Sequence, residues 1–370
     1  MRLTSPTLLA FGGLAGLVAS SRSPSTAGRW RDLAPIPKAP RQEHTTVALS
    51  PTTLAVLGGI VTGSEPAVTT NIMQLYDIPT NTWSSAPNIP VPMNHINAAV
   101  VDGKIYLLGG LAVLSNGSWS AIPDSWVFDP EEAQWKSIAP MPKEVARGSA
   151  AMGVHGKTIY LAGGMTILVP GVYQNSVDTV SAFDTTKGTW KTLSKQLPEG
   201  RDHAGAAVVD SAFYVLGGRN FGQNNVRDTV FSLNLKNHSG GWKDGSARLP
   251  TARGGLSIGT IGISIYAFGG EGNRAEGTNG VFNQTELLLL VVASTFQGEA
   301  LLKVLIQYTT QMYFALREDM LLQAPLSLRM NKLKNSMTTH HLMVRVCKSQ
   351  SAFELDVRRA SHMQAANGKV

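Results

Sequence analysis

Residues 104–110 read Lys-Ile-Tyr-Leu-Leu-Gly-Gly, and the same phrase occurs four more times. It stands as TLAVLGG at 53–59, TIYLAGG at 158–164, AFYVLGG at 212–218 and SIYAFGG at 264–270. The leading glycines, Gly58, Gly109, Gly163, Gly217 and Gly269, lie 51, 54, 54 and 52 residues apart, and each is followed by a second, Gly59, Gly110, Gly164, Gly218 and Gly270. Two further markers keep the same phase. An aromatic residue or Leu precedes an acid or amide at Tyr76-Asp77, Phe128-Asp129, Phe183-Asp184 and Leu233-Asn234, and Trp stands at Trp30, Trp83, Trp135, Trp190 and Trp242. Three markers in fixed order at one period identify a repeat architecture.

Each unit reads as four short strands: an Ala/Val-rich run, the run ending in Gly-Gly, the run ending at the acid, and the Trp run. Turn residues separate them, as in Asp102-Gly103, and Pro-rich segments such as APNIP at 86–90 close the Trp strand. A four-stranded twisted sheet cannot bury both faces by itself, but sheets stacked radially bury one another, which predicts an all-β propeller with five recognisable four-stranded blades. The doublets are expected where a neighbouring sheet or a bulky Trp approaches the backbone, since Gly has no Cβ to obstruct it.

The apolar run with Gly-Gly, the aromatic-Asp pair and the Trp together resemble the kelch family of β-propellers, over residues 29–286. The resemblance implies six or seven blades, so a sixth is expected, and ring closure by strands from the two ends of the chain. WRDLAP at 30–35 has the look of a fourth strand placed ahead of the first full repeat. The family resemblance also raises copper radical oxidases of the galactose oxidase type, which need a Tyr cross-linked to Cys. The sole cysteine, Cys347, lies outside the repeats, so that chemistry is not expected. Some kelch-like propellers are mutarotases or epimerases with acids and bases at the channel mouth. Glu43 with His44, or Asp202 with His203, offers such a pair, although neighbours on a strand point to opposite faces.

Composition separates the repeats from what flanks them. Of 37 Gly, 35 lie in residues 1–286, which carry 22 basic and 20 acidic side chains; residues 287–370 carry 10 basic and 5 acidic. The overall charge of +7 is therefore mostly a property of the tail, and no nucleic-acid surface is expected. Arg2, the apolar run LLAFGGLAGLV at 8–18 and the small residues after it have the layout of a signal peptide over 1–21, with no membrane span left after cleavage. Sequons at Asn116, Asn237 and Asn283 are candidate glycosylation sites in a secreted protein. After Glu286 the repeat markers stop, and Leu301, Leu305, Tyr308, Met312 and Leu316 recur at helical spacing. Residues 287–370 accordingly read as an atypical tail: sequence foreign to the propeller, a helical appendage over about 299–323, or a Leu-rich start that completes the fifth blade.

Aligning the repeats on Gly-Gly brings out a second set of equivalent positions. Fourteen residues ahead of the first Gly stand His44, His95, Ser149, His203 and Gly255; sixteen ahead stand Gln42, Met93, Arg147, Arg201 and Arg253, with Arg41 one further back. In a propeller these positions ring one mouth of the channel. Arg41, His44, His95, Arg147, Arg201, His203 and Arg253 are therefore the candidate ligand-binding residues, suited to an anionic or polyhydroxylated ligand. Alternatively, the same arginines satisfy backbone carbonyls in that loop. Metal binding by His44, His95 and His203 is not expected, because ring-equivalent side chains on different blades diverge. No cofactor is expected. The predicted function is a glycan- or protein-binding module using the long loops after Gly-Gly, with Trp119, Tyr173 and Phe221 as stacking candidates. The alternative is a non-copper carbohydrate-active enzyme.

Overall fold

The computed structural model describes residues 32–61, 68–169, 171–289 and 305–306. The signal-peptide reading, Trp30 and Cys347 lie outside these residues. The apolar runs form the strands expected of them, in five antiparallel blades of four strands each, the second of them continued by two short strands from the blade 3 loop. Blade 1 comprises β1 (Thr45–Ser50), β2 (Thr53–Leu57), β3 (Met73–Asp77) and β4 (Thr82–Ala86). Blade 2 comprises β5 (Ala98–Val101), β6 (Lys104–Val113), β7 (Trp119–Asp129) and β8 (Gln134–Ile138). Blade 3 comprises β9 (Ala151–His155), β10 (Thr158–Ala162), β11 (Val180–Asp184) and β12 (Thr189–Thr192). Blade 4 comprises β13 (Gly205–Val209), β14 (Ala212–Leu216), β15 (Thr229–Asn234) and β16 (Lys243–Arg248). Blade 5 comprises β17 (Ser257–Ile261), β18 (Ser264–Phe268), β19 (Thr285–Leu289) and β20 (Leu305–Ile306). The first strands β1, β5, β9, β13 and β17 touch one another in that order, which makes them the innermost of the propeller.

Apolar side chains fill the spaces between successive blades. One cluster joins Ala55, Leu57 and Met73 of blade 1 to Ile105, Leu107 and Phe128 of blade 2. The next joins Leu108 to Ile159, Leu161 and Phe183 of blade 3, and the series continues through Phe213 and Phe231 of blade 4 to Ile265 and Leu288 of blade 5. Burial between sheets is thus the main source of stability, since no blade covers its own two faces.

The Gly-Gly doublets do a more specific job than admitting a bulky side chain. A Cβ on Gly163 would lie 2.1 Å from the Arg201 carbonyl oxygen of the next blade, and one on Gly217 would lie 2.6 Å from that of Arg253. The second glycine then donates its N–H to the same carbonyl, Gly164 to Arg201 at 2.7 Å and Gly218 to Arg253 at 2.8 Å. The neighbour that comes close is a main-chain carbonyl with Ile or Leu side chains beside it, and not a Trp.

The tryptophans hold the blades together at the rim instead. Trp83, Trp135, Trp190 and Trp242 donate their ring N–H to the carbonyls of Ala34, Pro87, Ala139 and Lys195, at 2.8, 3.1, 3.0 and 3.3 Å. From the second blade on, each acceptor follows the outer strand of the preceding blade. Ala34 takes that place for blade 1, which explains why residues 30–35 resemble the end of a repeat. Tyr76, Phe128 and Phe183 sit directly across from their Trp, with ring centroids 5.0, 5.2 and 5.0 Å apart. Blade 4 has Leu233 there, and Trp242 packs on Phe213 at 5.7 Å.

The domain boundary expected at 286 has to move. Residues 287–289 continue β19, pairing with Ser264, Ile265 and Tyr266, and β20 supplies the fourth strand through Leu287↔Ile306 and Leu288↔Leu305. Of the span 299–323 expected as a helix only 305–306 is described, and there the chain is extended; the rest lies outside the described residues. A continuous run of Leu carries no strand alternation, so periodicity alone does not separate a strand from a helix there.

Gly163→Val tests the doublet. Gly163 has φ of +67° and no room for a side chain. Left-handed strain and overpacking together should cost roughly 3 kcal/mol or more. Urea unfolding followed by circular dichroism should show that loss, whereas Gly171→Val, where a Cβ meets nothing within 4 Å, should cost clearly less.

Candidate functional site

At the end of each innermost strand nearest the doublet, one residue adopts a left-handed backbone: Glu43, His95, Ser149, His203 and Gly255, with φ of 53°, 51°, 56°, 51° and 62°. Each stands two residues before the residue paired with the one preceding Gly-Gly, as Thr45 pairs with Leu57 and Gly205 with Leu216. These residues link blade to blade. The N–H of His95 bonds Glu43 O at 3.1 Å, that of Ser149 bonds His95 O at 2.8 Å, and that of Gly255 bonds His203 O at 2.9 Å. The N–H of His203 bonds Ser149 Oγ at 3.1 Å. Non-glycine residues rarely hold this conformation, and a set of four at equivalent places makes this a candidate functional position.

In the first blade the ring residue is Glu43, where Gly-Gly alignment gives His44. The register of β1 with β2 shifts between Ala48 and Ser50, leaving Leu49 unpaired in a bulge, so that this strand pair holds one residue more than its counterparts. The same bulge explains why Arg41 counts one position further back than Arg147, Arg201 and Arg253. His44 turns away from the ring and its Nδ1 meets Arg41 O at 3.0 Å.

The ring brings three side chains together. His95 Nε2 lies 3.0 Å from His203 Nε2 and 3.1 Å from Glu43 Oε2, while His203 Nε2 is 3.6 Å from the same carboxylate. His203 Nδ1 meets the Asp202 carboxylate at 2.5 Å, and Asp202 also accepts from Ser176 Oγ and Gln174 Nε2, both on the blade 3 loop. His95 Nδ1 meets Asn94 Oδ1 at 2.6 Å; the Asn94 amide donates to Thr69 Oγ1 at 3.1 Å. Strand alternation separates Asp202 from His203, but the left-handed turn at His203 folds its ring back onto the acid.

The electrostatics follow from these contacts. Burial opposes ionisation of Glu43, yet His95 and His203 beside it hold its carboxyl well below the usual range. For His203, burial and the nearby Arg219 favour the neutral ring; Asp202 and Glu43 prevail and raise it to about 9. Asp202 is likewise held down despite its burial, by His203, Ser176 and Gln174.

The four arginines are turned into their own blades. Arg41, Arg147, Arg201 and Arg253 are buried, and each donates to the carbonyl of its blade's first glycine: Gly58 at 2.6, Gly163 at 2.6, Gly217 at 2.5 and Gly269 at 2.7 Å. Their other donors reach Gln74, Leu161 O, Glu199 and Glu286 among others. Burial without a carboxylate draws Arg41 and Arg147 down to about 10. Of the seven candidate ligand residues, then, the structure gathers His95 and His203 at the ring and adds Glu43. The arginines serve the blade backbone. Asn116 and Asn237 are exposed and Asn283 is half-buried.

Comparison with known proteins bears on the same architecture. Residues 25–205 match the KLHDC2/KLHL20/DRC7 Kelch-repeats domain and residues 200–239 the Kelch motif. "Kelch-like protein terF" of Aspergillus terreus is 41% identical over 254 residues, which are 67% of this chain and 54% of that protein. The chain belongs to the kelch-repeat β-propeller family. Human "Kelch-like protein 34" is 29% identical over 226 residues, covering 60% of this chain and 32% of that protein. The chain therefore spans about half of the first of these relatives and a third of the second. A solved structure, "Structure of YjhT", shares the fold with a TM-score of 0.58 at 19% identity, over 71% of this chain and 85% of that one.

If the arginines serve the blades, Arg147→Lys should destabilise the kelch propeller by about 2–4 kcal/mol. An ammonium cannot replace a fork that bonds Gly163, Val145 and Leu161 carbonyls at once, and the orphaned carbonyls stay buried. Unfolding in urea measures it; an unchanged midpoint would return Arg147 to the ligand-binding set.

Proposed function

We propose that this kelch propeller is a binding module for a polypeptide partner, engaged through the loops that follow Gly-Gly. The observation behind this reading is where apolar surface is exposed. Among the described residues, the large exposed hydrophobics are Val68, Val113, Leu114, Val172, Tyr173, Phe221 and Ile263, and all but Ile263 lie in those loops. The loops emerge on one face. Aliphatic side chains outnumber aromatics there, which suits a peptide or protein surface better than sugar rings. Trp119, one of the three stacking candidates, is half-buried with its ring N–H on Thr69 Oγ1 at 3.2 Å, which leaves Tyr173 and Phe221.

The loops are braced for such a task. Ile60–Val61 pairs with both Arg41–Gln42 and Val68–Thr69, and Ile167–Val169 of blade 3 joins Trp119 and Ser120 of blade 2. Phe221 is 59% exposed in a left-handed conformation (φ 54°), with its N–H fixed by Ser176 Oγ at 2.8 Å. A bulky residue held there is already ordered before a partner arrives, which lowers the entropy lost on binding. Export through a leader at 1–21 belongs to the same reading, with exposed Asn116 and Asn237 as sugar acceptors. A second reading, acid–base chemistry on a carbohydrate, draws support from the Asp202–His203–Glu43 contacts.

Two measurements test these readings. Peptides selected from a displayed random library against the full chain should lose tenfold or more affinity on Phe221→Ala and keep it on Ile263→Ser. Binding on a glycan array with no peptide selected would favour the carbohydrate readings, and turnover of a bound glycan that Asp202→Asn abolishes would favour the enzyme. Mass spectrometry of protein secreted from a eukaryotic host should find a new N-terminus near residue 22 and mass on Asn116 or Asn237; retention in the cell overturns export.

A further inference from the structure

We propose that Glu43, His95 and His203 form a site for one divalent transition-metal ion of the zinc class at the mouth of the propeller. Divergence of ring-equivalent side chains, the ground for expecting no metal here, does not hold for this trio. Their ligand atoms all lie within 4.8 Å of one another. A triangle with edges of 3.0, 3.1 and 3.6 Å has its circumcentre about 1.9 Å from each corner. An ion with bonds of about 2.0–2.1 Å therefore fits slightly out of the plane of the three atoms without moving any of them.

The orientation of the rings strengthens the case. Nδ1 of His203 faces a carboxylate that can only accept, and Nδ1 of His95 faces the carbonyl oxygen of Asn94, whose amide is used on Thr69. Both Nδ1 atoms are then donors. In the neutral rings both Nε2 lone pairs point inward, at each other and at the Glu43 carboxylate. Three acceptors converging at a buried point need a cation among them, either a proton or a metal. One proton can sit between the two Nε2 atoms, whereas a metal ion satisfies all three acceptors together.

The surroundings fit a dication. Two carboxylates, Glu43 and Asp202, touch the rings, and the nearby Arg219 is paired with Glu271. A buried acid on the far nitrogen of a ligating His is the outer support such ligands use; Asp202 is itself held by Gln174 and Ser176. The rings are closed off, but the Glu43 side chain keeps 26% of its surface exposed, which gives an ion a way in. Three protein ligands leave a coordination position open toward solvent, so the site is of the kind that takes water or a ligand atom as its fourth donor.

The test uses the full chain, stripped with EDTA, in equilibrium dialysis against zinc alone, with magnesium and calcium as controls. One zinc per chain should bind, and neither control ion should compete. Glu43→Gln and His95→Ala should each weaken binding 100-fold or more, and Asp202→Asn by 10- to 100-fold. His340→Ala/His341→Ala, which removes the paired histidines of the tail, should leave affinity unchanged. Cobalt(II) in place of zinc should give visible ligand-field bands that Glu43→Gln alters, a readout independent of how well the alanine variants fold. Phe221→Ala should retain the zinc, which separates this proposal from peptide binding. Absence of stoichiometric zinc, or equal affinity in wild type and both ring variants, would mean the cluster holds a proton only and overturns the assignment.

Discussion

The Arg201 carbonyl accepts the N–H of Gly164 in the blade before it, while its guanidinium donates to the carbonyl of Gly217 in its own blade. One residue thus closes both the joint between two sheets and the turn inside one of them. Arg147 and Arg253 repeat the inner half of this arrangement, each donating to its own blade's first glycine, and the Arg253 carbonyl receives Gly218 as Arg201 receives Gly164. The contact exists only because the glycine facing the carbonyl has no Cβ, so the doublet and the arginine are a single device. A propeller has no continuous core, and its apolar clusters are separate wedges between sheets. Directional hydrogen bonds across the joints, from Gly59, Gly164 and Gly218 N–H and, between blades 2 and 3, from the Asn97 amide to Arg147 O, orient each sheet on the next, which non-directional burial cannot do.

Where β13 ends on the ring side, the same geometry produces the site. For the strand to pass the doublet, the Asp202 carbonyl must approach within 2.7 Å of where a Cβ on Gly218 would be. His203, next in sequence, then turns left-handed. Its side chain leaves the alternation of the strand and comes to the axis beside those of Glu43 and His95. The cluster is thus a by-product of blade joining, and Asp202 serves both, with its backbone bridged to Arg219 and its carboxylate on the histidine.

Much of this is legible in the sequence. The phase of Gly-Gly, aromatic-Asp and Trp markers reports sheets that must meet their neighbours at fixed points, and those points accept few residue types. The ring of left-handed residues was legible only in part. His95 and His203 fall on it by counting back from Gly-Gly; Glu43 does not, because one bulged residue at Leu49 shifts the count, and the extra residue between Thr45 and Leu57 was the available signal. The arginine positions were visible, but their direction was not: a guanidinium on a long stem can reach outward to an anion or inward to a carbonyl, and nothing local in the sequence decides between them. The edge of the fifth blade stays open between readings in the sequence because Leu287 and Leu288 lack the marker acid while Leu305 falls on a helical spacing; the strand pairs of 287–289 and 305–306 favour the reading in which the Leu-rich start completes the blade.

The left-handed residue of each blade has one more consequence. Its side chain leaves the alternation of the strands and joins none of the apolar clusters, so its identity is decoupled from the packing between sheets, except at Ser149, whose hydroxyl accepts the His203 N–H of the next blade. Glu43, His95, Ser149, His203 and Gly255 can be read as a five-character word written around the axis, one character per blade, in an alphabet restricted by tolerance of positive φ and, at Ser149, by the hydrogen bond to the next blade. Rewriting it would change what the mouth of the channel can hold while the wedges behind it stay as they are. The scaffold and the chemistry of this protein are, in that sense, separately editable.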